Sequence, residues 1–517
     1  IPQNIRLQVM KRKLTTTGLT LMALACLHTV AGAQATNGMA DVVQKAITQN
    51  PDITARLNTL KAAVNETAVA RGGYYPVVNL TGEVGRESNR ITSLTPESRS
   101  YNRTGIALNA SQMLWDGQAT RKEVERLGHA ETVRYFEFLS ASEDTALDAA
   151  KAYLDVQRYR KLVQLAEDNY VQHKYISEQL QSKYKAGVGR GVDAEQSAAR
   201  LALAESNLST EVANLHDVSA RFLRVVGEAP AKNLPVTPGL DRGLLPTNAE
   251  HISQSLARNA SISAAVENMR AVEAQAASKK SPFQPKVEAR VRTGMGDNFD
   301  GTQYQKRDTT AQIVLNWNLY NGGSDQARVK QYADLINQAA DLRDKACQDV
   351  RQTSAIAYND IYKLRDQLAV LDRNVLAIQK ARDAYRQQFD IGQRSLLDLL
   401  NSENELYTAQ RAYTNAEYDL QLAYARTQAS RNTLTANLGI SRDDGYSELA
   451  KDWQAAPEAA QRCPATAIDV GVSSREDLNK RAVKESIALP APVVAPAPAV
   501  VAPVKADRSE EHTSELQ

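Results

Sequence analysis

Between Ala311 and Leu319 the apolar side chains Ala311, Ile313, Leu315, Trp317 and Leu319 alternate with Gln312, Asn316 and Asn318. Val287, Ala289, Val291 and Thr293 alternate in the same way with Glu288, Arg290 and Arg292. A two-residue rhythm sets apolar groups on one face of a strand and polar or charged groups on the other, as a barrel strand between lipid and water requires. Val78–Glu87 and Thr104–Trp115 carry a weaker version, with Ile106, Leu108 and Ala110 on one face. The intervening stretches Ser88–Arg99 and Met295–Asp308 are polar, contain Gly or Pro, and read as surface loops. Tyr74, Tyr75, Trp115, Phe283 and Tyr320 cluster where strands give way to helices, the placement of an aromatic girdle at a membrane interface. Two soluble hairpins with the aromatics in a small core would satisfy the same pattern.

A helical rhythm follows each strand pair. No proline interrupts Asp116–Gly187 or Gly323–Gly392, so each can form a helix of about 70 residues and roughly 105 Å. Shorter helices are expected over 37–71, 193–227, 248–281 and 395–438, and two of these end to end match one long helix. Ile361, Leu364, Leu368, Leu371, Val375 and Ile378 follow spacings of three and four, as do Leu399, Ser402, Leu406, Ala409, Tyr413, Ala416, Leu420 and Ala423. Such seams imply supercoiled antiparallel packing, with small residues allowing close approach. A soluble periplasmic coiled-coil rod is the competing reading, although it would need no strands.

The two series are copies of one another. Leu114-Trp115-Asp116-Gly117 matches Leu319-Tyr320-Asn321-Gly322 at an offset of 205, as do Tyr184-Lys185-Ala186-Gly187 with Phe389-Asp390-Ile391-Gly392, and Asp193 with Asp398. Asn50 and Pro76 match Asn259 and Pro285 at 209, and Val226-Gly227 matches Leu438-Gly439 at 212. The chain is therefore a duplication over 37–227 and 248–439, joined by 228–247, and each half reads helix, strand, strand, very long helix, helix. Four strands cannot close a barrel, and open sheet edges are not tolerated in lipid. If these strands enter a membrane, several chains must share one barrel, and three copies supply twelve strands.

Composition narrows the class of function. The 517 residues carry 62 basic and 60 acidic side chains, a net charge of +2 that gives no field for nucleic acid. Aromatics are only 6%, which suits long helices with narrow seams better than one thick core. No internal apolar run approaches the 18 or so residues of a membrane-spanning helix. Met10, followed by Lys11-Arg12-Lys13, an apolar stretch Leu19–Val30 and Ala31-Gly32-Ala33, reads as a signal peptide over 10–33. Residues 1–9 before it read as upstream translation. Cys26 lacks the aliphatic residue three positions earlier that a lipidation site carries. The other thiols, Cys347 and Cys463, are distant and make no disulfide framework. The six His (His28, His129, His173, His216, His251 and His512) show no metal-ligand spacing, and no cofactor is expected. No phosphate-binding loop or nucleophile–base motif supports an enzyme. Residues 440–488 are mixed and polar, expected to wrap the helices as a short belt. Residues 489–507 are a Pro/Ala/Val-rich, polyproline-like tail, and 508–517 read as an in-frame sequencing-adapter translation.

Over 37–445 the chain resembles the TolC family of outer-membrane channel proteins. The resemblance rests on the duplicated Gly turns and on Phe389-Asp390-Ile391-Gly392-Gln393-Arg394-Ser395-Leu396-Leu397-Asp398-Leu399-Leu400-Asn401 followed by Glu403 and Glu405-Leu406-Tyr407. That segment is most similar to the type I secretion branch. The resemblance implies a mainly α protein with membrane β: a homotrimeric 12-stranded barrel in outer-membrane lipid, continued by a periplasmic α-helical barrel. It also implies a periplasmic adaptor (membrane fusion protein), an inner-membrane ABC transporter and an unfolded secreted protein as substrate, with small-molecule efflux as the alternative cargo. By motif position, Arg394 is implied as the gating arginine, Asp193 as its acceptor on the other tip, and Asp398 as a ring carboxylate. Arg190 could assist the latch. Three departures stand out: Phe389 replaces a latch tyrosine of the best-known member, Val192 an accepting threonine, and Asn401 a second ring carboxylate. Three Asp398 side chains on one axis would repel one another and concentrate cations. Asp398 after Ser395, and Asp193 in a first helical turn, could equally serve as helix caps, while Gly187 and Gly392 are expected as left-handed helix stops.

Overall fold

The computed structural model describes residues 38–440 with breaks at 91, 94 and 237–238, then 445–451, 453, 463–465 and 471–487. The expectations for 1–9, 10–33, 489–507 and 508–517 lie outside the described residues. The element order is α1 (Met39–Gln49), α2 (Pro51–Arg71), β1 (Val77–Arg90), β2 (Ser98–Trp115), α3 (Ala119–Lys185) and α4 (Gly191–Val226). It repeats as α5 (Asn248–Arg258), α6 (Ala260–Ser278), β3 (Lys286–Asp297), β4 (Arg307–Asn316), α7 (Ser324–Asp390) and α8 (Leu396–Ser430), followed by the short α9 (Leu434–Asn437). A last helix, α10 (Arg475–Ile487), stands in a separate compact unit beginning at Ala467. Among the described residues no helix is long and apolar enough to cross a membrane.

The helices expected over 37–71 and 248–281 are each broken in two, at equivalent points. Asn50 leaves helical geometry and its side chain accepts a hydrogen bond from the Asp52 N–H at 2.9 Å, and Pro51 can offer no N–H to continue α1. Asn259 does the same for the Ser261 N–H at 3.0 Å. Each asparagine also donates across to the end of a neighbouring helix, Asn50 to the Val225 carbonyl at 3.4 Å and Asn259 to that of Ser430 at 3.1 Å. The matched asparagines thus mark the bends between α1 and α2 and between α5 and α6. The helix expected over 395–438 also breaks, where Asn432 turns left-handed at φ 60°. Buried Glu143 receives the Thr435 hydroxyl and, at 3.4 Å, its N–H, anchoring the start of α9.

The two long helices, 67 residues each, extend about 100 Å. Helix α3 packs on α4, α6, α2 and α8, while α7 packs on α8, α6 and α5. The α8 seam is buried as expected at Leu399, Leu406, Ala409, Leu420 and Ala423. A second stripe, including Leu400, Tyr407 and Ala425, is buried as well, because α8 faces both α7 and α3. The largest core gathers at the waist around Val43, Ala46, Tyr153, Phe222, Ile361 and Leu434.

At the edge of this core His251 stacks on Tyr358 with ring centres 5.3 Å apart, and its Nε2 meets the Ser430 hydroxyl at 3.3 Å. Burial, reinforced by nearby Arg431, lowers the imidazole to about 4. A base depressed on folding binds fewer protons than in the unfolded chain, so its contribution is intact near neutrality and lost as pH falls from about 6.5 toward 4. The thermal midpoint should therefore drop by a few degrees between about pH 7.5 and pH 5. Buried His173 is depressed in the same direction, so His251→Gln should remove part of that drop, and an unchanged pH dependence would assign it elsewhere.

The residues after α9 correct the expectation for cysteine. Cys347 of α7 and Cys463 form a disulfide across 116 residues, with Cα atoms 6.2 Å apart. Distance along the chain did not bound distance in space, because the segment after α9 runs back over the helices. Tyr446, Leu449, Ala450 and Trp453 pack against Leu60, Val133 and Phe136, and the Trp453 ring meets Phe136 edge-on at 4.9 Å. The Trp453 indole N–H donates to buried Glu267 at 2.8 Å. Burial pushes that carboxyl up, but hydrogen bonds from His129, Trp453 and Arg270 outweigh it and hold Glu267 below the ordinary value.

The four strands form one antiparallel sheet in the order β1-β2-β3-β4, with β1 and β4 at open edges. Val78 faces Ala110, Ala110 faces Val291 and Val291 faces Ala311. One step along, Leu80 faces Leu108, which faces Thr293. Directly opposed residues share a face, so these rows form one apolar surface, and nothing among the described residues covers it. Leu80 is 71% exposed, Val84 88% and Ile313 73%. The opposite face carries Glu83, Glu87, Arg103, Glu288, Arg290 and Arg292, joined by ion pairs such as Arg103–Glu83 at 2.6 Å.

Candidate functional site

Two features can carry function: the paired helix tips and the sheet. At the tips Gly187 and Gly392 adopt φ of +74° and +77°, the left-handed stops expected of them. Their N–H groups close on Tyr184 and Phe389 carbonyls, each at 2.9 Å. Ser395 caps α8 by accepting the Asp398 N–H at 3.2 Å, but the Asp398 carboxylate does not complete a reciprocal box. It accepts from Arg394 instead, at 3.4 Å. Arg394 also donates to Gln388 at 3.0 Å and lies 4.5 Å over the Tyr385 ring. Within one chain the arginine is therefore folded over its own hairpin, while Asp193 sits in the first turn of α4. Arg190 is the residue before α4, and Val192 is exposed.

Phe389 has no hydroxyl to offer and packs against the apolar group Ile176, Leu180, Leu396, Leu399 and Leu400, with the Lys183 ammonium 5.9 Å from its ring. Where the implied pattern had a hydrogen bond, this tip has a hydrophobic contact between its two hairpins. Asn401 accepts from Arg200 of α4 at 2.9 Å. Further cross-links join the hairpins along their length: Arg386 to Gln172 at 3.1 Å, Arg158 to Asp419 at 2.7 Å, and Arg411 to fully buried Glu211. Sequence reasoning missed this ladder. Its only visible signal was a carboxylate, such as Glu211, inside an otherwise small and apolar stripe.

At the other end of the long helices, Tyr74, Tyr75, Trp115, Phe283 and Tyr320 are all substantially exposed at the strand–helix junctions. Trp317 joins them and donates its indole N–H to the Phe283 carbonyl at 3.2 Å. The alternation that makes Ile106 and Leu108 face outward would send Trp115 to the charged side. A bulge between Met113 and Trp115 adds a residue, which brings Trp115 opposite Val287 and so onto the apolar face. Among the described residues no group of His, Cys, Asp and Glu could hold a metal ion.

A bare apolar sheet with exposed aromatics at one end, set on antiparallel helices about 100 Å long, is the form of a membrane-anchored channel subunit. The chain belongs to the outer membrane efflux protein family, whose profile matches residues 42–228 and 251–433, one segment per repeat. It lies in the outer membrane of a Gram-negative cell, with its helices in the periplasm. It is similar to the outer membrane efflux protein BepC of Brucella suis biovar 1, with 25% identity over 77% of this chain and 88% of that protein. It is also similar to the alkaline protease secretion protein AprF of Pseudomonas aeruginosa, with 23% identity over 75% and 83%. Among solved structures, the CmeC outer membrane channel of Campylobacter jejuni superposes with a TM-score of 0.70 at 13% identity, covering 80% of this chain and 90% of that one.

Proposed function

We propose that the chain is the exit duct of a tripartite export system, working as a homotrimer whose three sheets close one twelve-stranded barrel. The observation that carries this reading is the open four-stranded sheet: among the described residues its apolar face is bare and both edges are unpaired. In lipid such edges must find partners, and identical sheets are the available ones. The driving energy would come from an inner-membrane ABC transporter acting through a periplasmic adaptor, because the chain has no nucleotide-binding motif of its own. The cargo in this reading is an unfolded protein, supported by the tip segment from Phe389 to Tyr407 and by the relative named for alkaline protease secretion. Export of small molecules is the second reading, favoured by the likeness to an efflux protein. Detergent extraction followed by mass determination should give three chains per particle, and a monomer would end the proposal. Deleting the gene should then empty the medium of one secreted protein. Unchanged secretion together with increased sensitivity to small toxic compounds would select the second reading.

In the same reading the tips form the periplasmic gate. Arg394, with Asp193 of another tip as its exchange partner and Arg190 beside it, would hold the tips together, and Asp398 would line the narrowest ring. Phe389 adds a hydrophobic latch, Val192 offers none of the hydrogen bonds a threonine would, and Asn401 leaves the ring with one carboxylate per chain instead of two. Arg394→Ala should raise single-channel conductance of the reconstituted protein in planar bilayers. Unchanged conductance would remove Arg394 from the latch.

A further inference from the structure

The loop between β3 and β4 does not stand away from the sheet. It folds back as a single 3-10 turn, Phe299–Gly301, onto the charged face. Phe299 is only 1% exposed although it belongs to a surface loop. Its ring rests on Gly105 and Gly294, and a Cβ added at Gly105 would come within 2.6 Å of it. Asn298 and Asp300, on either side of the phenylalanine, take left-handed φ of 50° and 58°, a geometry that costs free energy and needs fixed surroundings. Those surroundings are polar pins. Arg292 grips Asp300 through two hydrogen bonds of 2.6 and 3.0 Å, with its guanidinium 5.2 Å from the Phe299 ring. Tyr101 donates its hydroxyl to the Gly301 carbonyl at 2.6 Å, and the Asn298 side-chain N–H donates to the Asn102 backbone carbonyl at 2.7 Å.

The face under this loop is the one opposite the bare apolar rows. In a barrel whose apolar rows meet lipid, it is the face that lines the lumen. We propose that the loop is an inward-folded constriction at the outer mouth of the duct, with Phe299 as its anchor and the Arg292–Asp300 ion pair fixing it to the lumen face. Three copies would narrow the mouth from three sides and set an upper size for solutes entering from outside, independently of the periplasmic tips. The β1–β2 hairpin supplies the wall: Arg99 donates to Gln303 at 2.8 Å, and Glu87 lies against Gly301. This inference rests on the channel reading above.

The test uses the full chain in the outer membrane of intact cells, with one cysteine introduced at Asn109 on the lumen face or, separately, at Leu108 on the apolar face. A small water-soluble thiol reagent added outside should label Asn109→Cys but not Leu108→Cys. Failure of that step would overturn the channel reading itself. A bulky polyethylene glycol maleimide should then label Asn109→Cys slowly. Its rate should rise about tenfold when the 298–304 stretch is replaced by a Gly-Ser linker, as if an open loop went from about 1% to about 10% of the population. Gly294→Val, which pushes out the ring while leaving the loop sequence intact, should act in the same direction and separates loop release from a folding defect. Equal rates for the bulky reagent in all three backgrounds, with small-reagent labelling intact, would overturn the constriction alone.

Discussion

Leu80→Arg is expected to empty the outer membrane of this protein, whereas Asn79→Arg, one residue away, is expected to be tolerated. Leu80 opposes Leu108 in the ladder and lies five positions beyond Tyr75 of the aromatic group. At about 3.4 Å per residue and a tilt near 40°, that is roughly 13 Å from the interface, close to the middle of an apolar band about 25 Å tall. An arginine at the midplane costs about 2–4 kcal/mol in a barrel. A trimer would bear three of them, roughly 6–12 kcal/mol in all, comparable with the whole stability of a folded domain. Asn79 opposes Asn109 on the polar side, where a charge meets water. Membrane-fraction abundance of the two variants is the measurement. Equal tolerance would show that the apolar rows do not lie in lipid.

That contrast depends on knowing which residues share a face, and much of this was legible. Period-two alternation over Val287–Thr293 and Ala311–Leu319 assigned both faces of β3 and β4, since a strand has only two, although β4 itself ends at Asn316. The same logic misplaces Trp115, because a bulge is set by how two strands meet, not by either strand alone. The long helices were legible from the absence of proline and the spacing of Ile361, Leu364 and Leu368. Their ends were legible from Gly187 and Gly392. The breaks at Asn50 and Asn259 were visible as a repeated residue but not as bends, since an asparagine fits on a helix surface as readily as at a cap.

At the tips the residue types were legible and the pairings were not. Loss of a hydroxyl at Phe389 is plain from the sequence. That its ring then joins Leu180 and Leu400 follows from how the two hairpins rotate against each other, which no single helical period encodes. Arg200 and Asn401 are 201 residues apart, and several arginines along α4 could have faced α8. Arg394 shows the reverse difficulty. Its motif position pointed to another tip, but the side chain has good partners on its own hairpin. Any latch to another tip would have to outcompete Asp398 and Tyr385 for the guanidinium.

Cys347→Ser is expected to lower stability without undocking the segment that the disulfide holds. The bond closes a loop of 116 residues, and cross-linking a loop of that size removes unfolded-state entropy worth about 5 kcal/mol. Trp453 keeps its hydrogen bond to Glu267 and its edge contact with Phe136 in the variant, since neither involves the sulfur atoms. The loss therefore falls mainly on the unfolded chain. The thermal midpoint of detergent-solubilised protein should drop by several degrees in Cys347→Ser. A reductant should lower the wild-type midpoint by the same amount and leave the variant unchanged. Trp453→Ala has the opposite character: it removes one of the three hydrogen-bond partners of buried Glu267 and detaches Tyr446 and Leu449 from α3 while the covalent tie stays closed. If reductant leaves the wild-type midpoint where it was, the two thiols do not meet in the native protein, and the segment is held by Trp453 and its apolar neighbours alone.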